Sequence, residues 1–374
     1  GAADSDAAVV LGAFLKRTGG AANLSSALAP KTVSADTARL ALRYLQSSGA
    51  EETALTDYFR KAAGLSTGAT HLTAEQMKQT TAEVMSSGNA ANGEKIFRSR
   101  EAGCYQCHAI GGAGGQLAPD LRAIGASSPL DYLIDSVLDP NKAVKDGYQG
   151  YTVATKDGDV FSGIKVRQDD KNLVLRDATH DMTIPIASIK LQKDAGSLMP
   201  TGLADALTHQ EFLDLIRFLA ELGKPGPYGP DTALVARRWR MLQYVPDSDP
   251  AGDLPLSIAQ DSSNWMPVYA LVSGELPPSS FATDKGKKIS WARADLDVTS
   301  AGRVRVLLND AKGLNIWLNG KHIDANTDLA LDLPTGTSTL IFRVDFARRG
   351  HQGIRLEVQD LSGSKGHAQP AGGR

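Results

Sequence analysis

Cys104-Tyr105-Gln106-Cys107-His108 reads C-x-x-C-H, and Cys104 and Cys107 are the only two cysteines of the chain. Two thiols at this spacing, followed at once by an imidazole, form the covalent attachment pattern of a c-type haem. The thiols make thioethers to the porphyrin, and the histidine binds the iron from the proximal side. The other uses of such a pair fit less well. A disulfide over so short a loop staples little of a fold. A thioredoxin-like redox pair follows a strand in a βαβ context, and none precedes Cys104. A zinc site needs four ligands, so two more would have to converge from elsewhere.

At 374 residues the chain exceeds one ordinary domain and is expected to hold two or three. With 42% apolar and 22% charged residues it reads as a soluble, folded protein. A formal net charge of -2 gives no support to a nucleic-acid partner, and no apolar run reaches the length of a membrane span. Haem attachment takes place outside the cytoplasmic membrane in bacteria, so a periplasmic or secreted location is expected. Gly1-Ala2-Ala3-Asp4 carries no leader; the expectation is a removed leader or a piece excised from a longer polypeptide.

Residues 1–86 read as a small helical domain or the tail of a helical-repeat array. Apolar stripes run through Val9 to Leu15, Thr37 to Leu45 and Thr56 to Ala63, punctuated by Gly19-Gly20 and Ser47-Ser48-Gly49. Glu75 to Met85 is a further helix. Residues 87–225 read as an all-α haem domain interrupted by a small antiparallel β-module at about 147–190. Ile96 and Phe97 pack the helix before the motif. The glycines of Ile110 to Gly115 let the backbone lie close to the haem face. The region of Pro119 is expected to hold the His108 ring, because a proximal histidine commonly donates its free N–H to a backbone carbonyl. Ser128-Pro129 opens a helix through Leu138, with Ser128 as its N-cap, and Asp139-Pro140-Asn141 stops it. Strands are expected at Tyr148–Thr155, Val160–Val166, Leu173–Arg176 and Thr183–Ile186. Leu203–Leu207 is a short turn, Thr208-His209-Gln210-Glu211 a capping box, and Phe212 to Leu222 a terminal helix ended by Gly223 and Pro225.

The second iron ligand has three candidates. Met199, in Ser197-Leu198-Met199-Pro200, stands in a loop just ahead of the terminal helix. His/Met ligation raises the reduction potential and favours electron transfer. His180, a polar turn residue, and His209, in the capping turn, are the alternatives, and bis-histidine ligation implies a lower potential. Met77, Met85, Met241 and Met266 read as core or surface residues, and Met182 lies in the β-module.

Several stretches together resemble a known family, the haem-binding cytochrome c domain abundant in Planctomycetes and Verrucomicrobia. They are Asn92-Gly93-Glu94-Lys95-Ile96-Phe97, Cys104 to His108, Gly115 to Leu121, Ile124-Gly125, Tyr132 to Asn141, Gly147-Tyr148, Asp157-Gly158, Ser197 to Leu203 and the final helix Leu207 to Leu222. The resemblance covers roughly residues 90–224. It implies a class I-like c-type cytochrome with one covalently attached haem c, held by Cys104 and Cys107, with His108 and Met199 as the axial pair. It also implies an origin in large secreted proteins that carry a sugar-dehydrogenase-like propeller or helical repeats. Gln116-Leu117-Ala118-Pro119 departs from the family, which more often has Gly-Pro there, so the loop conformation is left open.

Beyond a linker at 226–231, residues 232–361 read as a β-sandwich of jelly-roll type, with a short helix at Thr232–Trp239. Arg303–Leu308, Gly313–Leu318, Leu329–Leu333, Ser338–Phe346 and Ile354–Val358 are its strands, and Asn319-Gly320 is a hairpin turn. Residues 362–374 read as a disordered tail. Trp265, Trp291, Trp317, Tyr269 and Asn319 offer a sugar-binding platform, against which stands their burial as core. Asp324 to Asp328 is a candidate calcium site, or a solvated turn.

The expected function is an exported monohaem cytochrome carrying single electrons from a sugar or alcohol dehydrogenase to another redox protein such as an acceptor cytochrome. The chain shows no acid/base pair, nucleotide loop or nucleophile arrangement of its own. Two other readings stand beside it: a haem enzyme or gas/redox sensor with an open sixth position, and a polysaccharide-binding module carrying a redox relay.

Overall fold

The computed structural model describes residues 4–48, 52–65, 69–99, 102–178, 180–229, 233–243, 264–281 and 288–372. The expected start at residues 1–3, the break at Gly49, the end of the linker at 230–231, Thr232 and residues 373–374 lie outside them. Two compact units are present: residues 1–108 with 115–224, and residues 109–114 with 225–374.

The first unit begins with α1 (Asp4–Leu15), α2 (Gly20–Leu28), α3 (Ala35–Ser48) and α4 (Thr53–Ala62). Leu11, Leu24, Ala41, Leu42, Leu45, Leu55 and Phe59 close their shared core. These helices fall in the same compact unit as the C-x-x-C-H segment. α5 (Ala74–Ser87) starts at Thr73, whose hydroxyl and the Gln76 side chain form a reciprocal capping box. α6 (Ala90–Arg98) is capped by Asn89, which accepts from the Asn92 amide. α7 (Cys104–Cys107), α8 (Ile124–Ser127) and α9 (Leu130–Leu138) follow, and α10 (His209–Glu221) completes the unit.

α10 is the axis of this unit. Its Thr208/Glu211 capping box forms as its sequence implies, and Leu215, Ile216, Phe218 and Leu219 are buried along it. α6 crosses it closely because Gly93 has no side chain: a Cβ there would lie 2.0 Å from the Asp214 carbonyl oxygen and 2.6 Å from Phe218 Cβ. Phe97 of α6 packs on Phe218 with ring centroids 5.7 Å apart. α5 lies against α10 as well, through Gln210 to the Ser87 carbonyl at 2.9 Å and Arg217 to the Met85 carbonyl at 2.9 Å. α9 begins after Pro129 with no side-chain cap, so Ser128 does not play the expected capping part.

The inserted module is a five-stranded antiparallel sheet of β3 (Gln149–Thr155), β4 (Val160–Gln168), β5 (Asn172–Arg176), β6 (Asp181–Pro185) and β7 (Ile189–Ser197), in the order β6-β5-β4-β3-β7. Val153, Leu173, Leu175 and Ile184 form its core. It runs to Ser197, not to residue 190. β7 pairs with β3 along its length and delivers the chain to Met199.

In the second unit, β1 (Ala109–Ile110) and β2 (Ala113–Gly114) form a small hairpin. Arg238 donates from Nε to the Gly112 carbonyl at 2.7 Å and from Nη2 to that of Gly114 at 3.3 Å. The remainder is a β-sandwich. One sheet orders β10 (Trp265–Tyr269), β9 (Arg238–Leu242), β12 (Ile289–Ser300), β17 (Gly336–Asp345), β14 (Leu314–Leu318) and β15 (Lys321–Ile323), with β19 (His367–Pro370) on β12. The other orders β11 (Glu275–Leu276), β18 (Ile354–Asp360), β13 (Gly302–Leu308) and β16 (Asp328–Leu333), with β8 (Leu234–Val235) on β18. Alternate residues such as Ala292, Ala294, Leu296 and Val298 of β12 fill the core between them. Asn319 (φ 50) and Gly320 (φ 85) make the tight turn from β14 to β15.

Four expectations for this unit are corrected. In place of the helix expected at 232–239, Leu234–Val235 and Arg238–Leu242 are strands, and Arg238-Trp239-Arg240-Met241 alternates and pairs with β10. The segment expected as a disordered tail contributes β19, with Ala368 fully buried. Trp265, Trp291 and Trp317 are 3%, 1% and 0% exposed and pack with Leu242 and Ile341; they offer no open sugar platform. Asp328 forms a two-point ion pair with Arg305, and no group of three His, Cys, Asp or Glu among the described residues is arranged to hold a metal ion.

Candidate haem site

Gly103 (φ 62) turns the chain into α7, a single helical turn that carries both cysteines. Residues three apart on a helix share a face, so the two thiols belong to one side of this turn. His108 leaves the helix in an extended conformation while its amide still donates to the Cys104 carbonyl at 2.9 Å. The returning loop is pressed onto the turn. The Gly115 amide donates to the Tyr105 carbonyl at 2.9 Å, and that of Ala118 to the Cys107 carbonyl at 3.0 Å. A Cβ at Gly115 would fall 1.8 Å from the Gln106 carbonyl oxygen, so no other residue fits there without moving backbone.

This loop brings the Pro119 carbonyl oxygen to 2.8 Å from His108 Nδ1. A carbonyl only accepts, so Nδ1 carries the hydrogen and Nε2 keeps its lone pair. Burial pushes the His108 imidazole below its ordinary range, partly offset by the Pro119 hydrogen bond and the Asp120 charge. The ring is therefore neutral at neutral pH, the form that binds a metal.

A cavity of about 310 Å³ opens over this ring. Cys104, His108, Pro119 and Met199 all line it, among apolar neighbours that include Phe97, Leu133, Val137, Leu198, Leu215 and Leu219. Cys107, at the end of α7, is not among the lining residues. Nor are His180 and His209. His180 pairs with Asp177 in a turn of the β-module, and His209 pairs with Glu83 at 2.8 Å. Met182 packs in the β-module core.

Met199 is held from its N-terminal side by two hydrogen bonds in series. Its amide donates to Ser197 Oγ at 3.1 Å, and the Ser197 amide donates to Asn141 Oδ1 at 2.9 Å. Nothing in the sequence around Asn141 marks it for this role beyond its place after Pro140. Lys145 and Asp120 also line the cavity; neither stood out in the sequence.

The chemistry of this donor set fits a covalently attached haem. The apolar cavity bears the Cys104 thiol, an imidazole with a free Nε2 and a thioether, and Cys107 stands on the same helical turn as Cys104. The set fits a redox-active cysteine pair less well. Burial pushes the Cys104 thiol up to about 11 and raises Cys107 as well, whereas a redox-active pair has a stabilised thiolate.

Comparison with known proteins agrees in part. The family model described as Cytochrome c matches residues 90–174, a span from α6 through the C-x-x-C-H turn and α9 into β5 that stops short of Met199. No curated protein matches the chain significantly. Among the described residues no helix is long and apolar enough to cross a membrane. A cytochrome-c-type domain is therefore present over part of this chain, with an antiparallel β-sandwich beyond it.

Proposed function

We propose that the first unit binds one haem c through Cys104 and Cys107, with His108 and Met199 as axial ligands, and works as a single-electron carrier. The observation that carries this reading is that His108, its ring fixed by Pro119, and Met199 line the same apolar cavity. Bound there, the haem iron supplies one-electron redox chemistry.

The chain's own residues do the rest. Pro119 fixes the tautomer of His108 and aims Nε2. Asn141 and Ser197 hold the backbone of Met199. Phe97, Leu133, Val137, Leu215 and Leu219 exclude water from the cavity. Were Met199 to bind the iron of such a haem, its thioether would favour the reduced state and would leave no place for small ligands. We place the protein in a periplasmic or secreted setting, taking electrons from a sugar or alcohol dehydrogenase and passing them to an acceptor cytochrome.

The test is attachment in a host that matures c-type cytochromes. Mass spectrometry of the denatured full chain is expected to show one covalent haem, and the paired variant C104A/C107A none. A chain that takes up no covalent haem under those conditions rejects the proposal.

A further inference from the structure

The methionine segment is tied to the rest of the unit from its other side by a helix that sequence reading set apart. Between Met199 and α10 the chain passes Gly202 (φ 80) and a short 3-10 turn, Leu203–Ala206. Leu203, Ala204 and Leu207 line the cavity. The backbone bonds made within this segment are local, from the Asp205 amide to the Gly202 carbonyl and from the Leu207 amide to the Ala204 carbonyl.

The long-range ties come from α3. Asp36, Arg39 and Arg43 stand at i, i+3 and i+7 and so form one stripe, while Ala38, Ala41, Leu42 and Leu45 are buried in the helical core. Arg43 donates from Nε and Nη2 to the Ala206 carbonyl at 3.0 and 2.7 Å. It also donates to both carboxylate oxygens of Glu211, with Nη1 to Oε1 at 3.1 Å. Arg39 Nη1 donates to the Leu207 carbonyl at 3.3 Å, and Asp36 Oδ1 accepts from the His209 amide at 2.8 Å. The stripe thus satisfies two carbonyls left after the 3-10 turn and a first-turn amide of α10, groups that have no partner within their own helices. Arg43 and Glu211 are 18% and 23% exposed, and a planar guanidinium gripping a carboxylate and a carbonyl together is a rigid joint.

We propose that Arg43, supported by Asp36 and Arg39, is a positioning residue for Met199. It fixes the segment that follows the methionine, and through it keeps the thioether on the iron. The N-terminal helices are, on this reading, part of the haem module. The proposal rests on Met199 being the sixth ligand.

The test uses the full chain loaded with haem, held well below its melting temperature. The readouts are the near-infrared methionine-to-iron band of the oxidised form and carbon monoxide binding to the reduced form, with M199A as reference. In R43Q, helix content is expected to stay unchanged while the band weakens and carbon monoxide associates about tenfold faster. R43K keeps the charge but cannot reach both partners, and is expected to fall between. A band and a carbon monoxide rate in R43Q within about twofold of the unmodified chain overturn the proposal even if the melting temperature falls, because Arg43 then only stabilises the fold. If R43Q does not fold, R43K is judged on the same readouts by the same criteria. A band present in the unmodified chain and lost in M199A, yet untouched by R43 substitution, sinks this proposal alone. A band absent from the unmodified chain sinks the Met199 reading and this proposal with it.

Discussion

His108 Nδ1 donates to the Pro119 carbonyl across 2.8 Å, and that one bond ties the imidazole to the far end of the loop that follows it. The loop keeps its shape because Gly115 lies flat on the α7 turn. Gly115→Ala would drive a methyl into the Gln106 carbonyl. It is expected to destabilise the chain by roughly 1–3 kcal/mol, the ordinary cost of forcing atoms into closed packing. Chemical denaturation of the haem-loaded chain checks this, together with the yield of attached haem. A stability and yield equal to the unmodified chain would mean that the loop does not hold the turn.

Asn141 and Ser197 are expected to act on Met199 in series. Asn141→Ala and Ser197→Ala each remove one neutral hydrogen bond, worth about 1 kcal/mol. Because they share one relay, the double variant is expected to weaken the methionine-to-iron band no more than the stronger single variant. Temperature-dependent spectra of the oxidised protein measure this. Additive losses would show that the two residues act separately.

Glu211 makes stability depend on acid pH. Burial raises its affinity for a proton, but hydrogen bonds from Arg43 and from the Thr208 backbone outweigh it and hold the carboxyl below its ordinary value of 4.5. A carboxylate depressed in the folded state contributes stability that is fully present above the unfolded value. That contribution is lost as pH falls through the lower folded value. Glu211→Gln is therefore expected to lower stability at neutral pH and to flatten its decline below about pH 4.5. Denaturant midpoints between neutral pH and the acid limb decide it; an acid limb as steep in the variant as in the unmodified chain would remove Glu211 from the explanation.

Trp317 separates a core from a binding surface. It is fully buried, 5.3 Å from Trp291 between ring centroids. Trp317→Ala is expected to cost about 3–5 kcal/mol of stability in the second unit, as for other buried aromatics. Affinity for soluble polysaccharide is not expected to drop ahead of unfolding. A variant that stays stable yet loses a polysaccharide bound by the unmodified chain would restore the platform reading.

What could be read from the chain was local. The Thr208/Glu211 capping box and the Asn319-Gly320 turn each depend on a few adjacent residues whose chemistry strongly favours one arrangement. β7 escaped notice because Ile189–Ser197 is exposed along most of its length and its apolar alternation is limited to Ile189 and Leu191 at its start. The start of β9 reads as part of a helix because its alternation runs over only five residues, too few to set a period before β10 pairs with them. β19 lay hidden in a Gly- and Ser-rich end, where two buried residues in four are too weak a signal. The part of the site built by Asp36, Arg39 and Arg43 was illegible for another reason: its partners lie more than 160 positions along the chain, and local pattern carries no trace of them.

The measurement that bears most directly on the proposed function is the optical spectrum of the haem-loaded full chain, oxidised and reduced, beside that of Met199→Ala. The expected result is a near-infrared methionine-to-iron band in the oxidised unmodified chain that vanishes in the variant. The reduced unmodified chain is expected to resist carbon monoxide, and the variant to bind it. An oxidised chain with no such band, whose reduced form binds carbon monoxide as readily as the variant does, would contradict the His108/Met199 pair and the electron-carrier reading built on it.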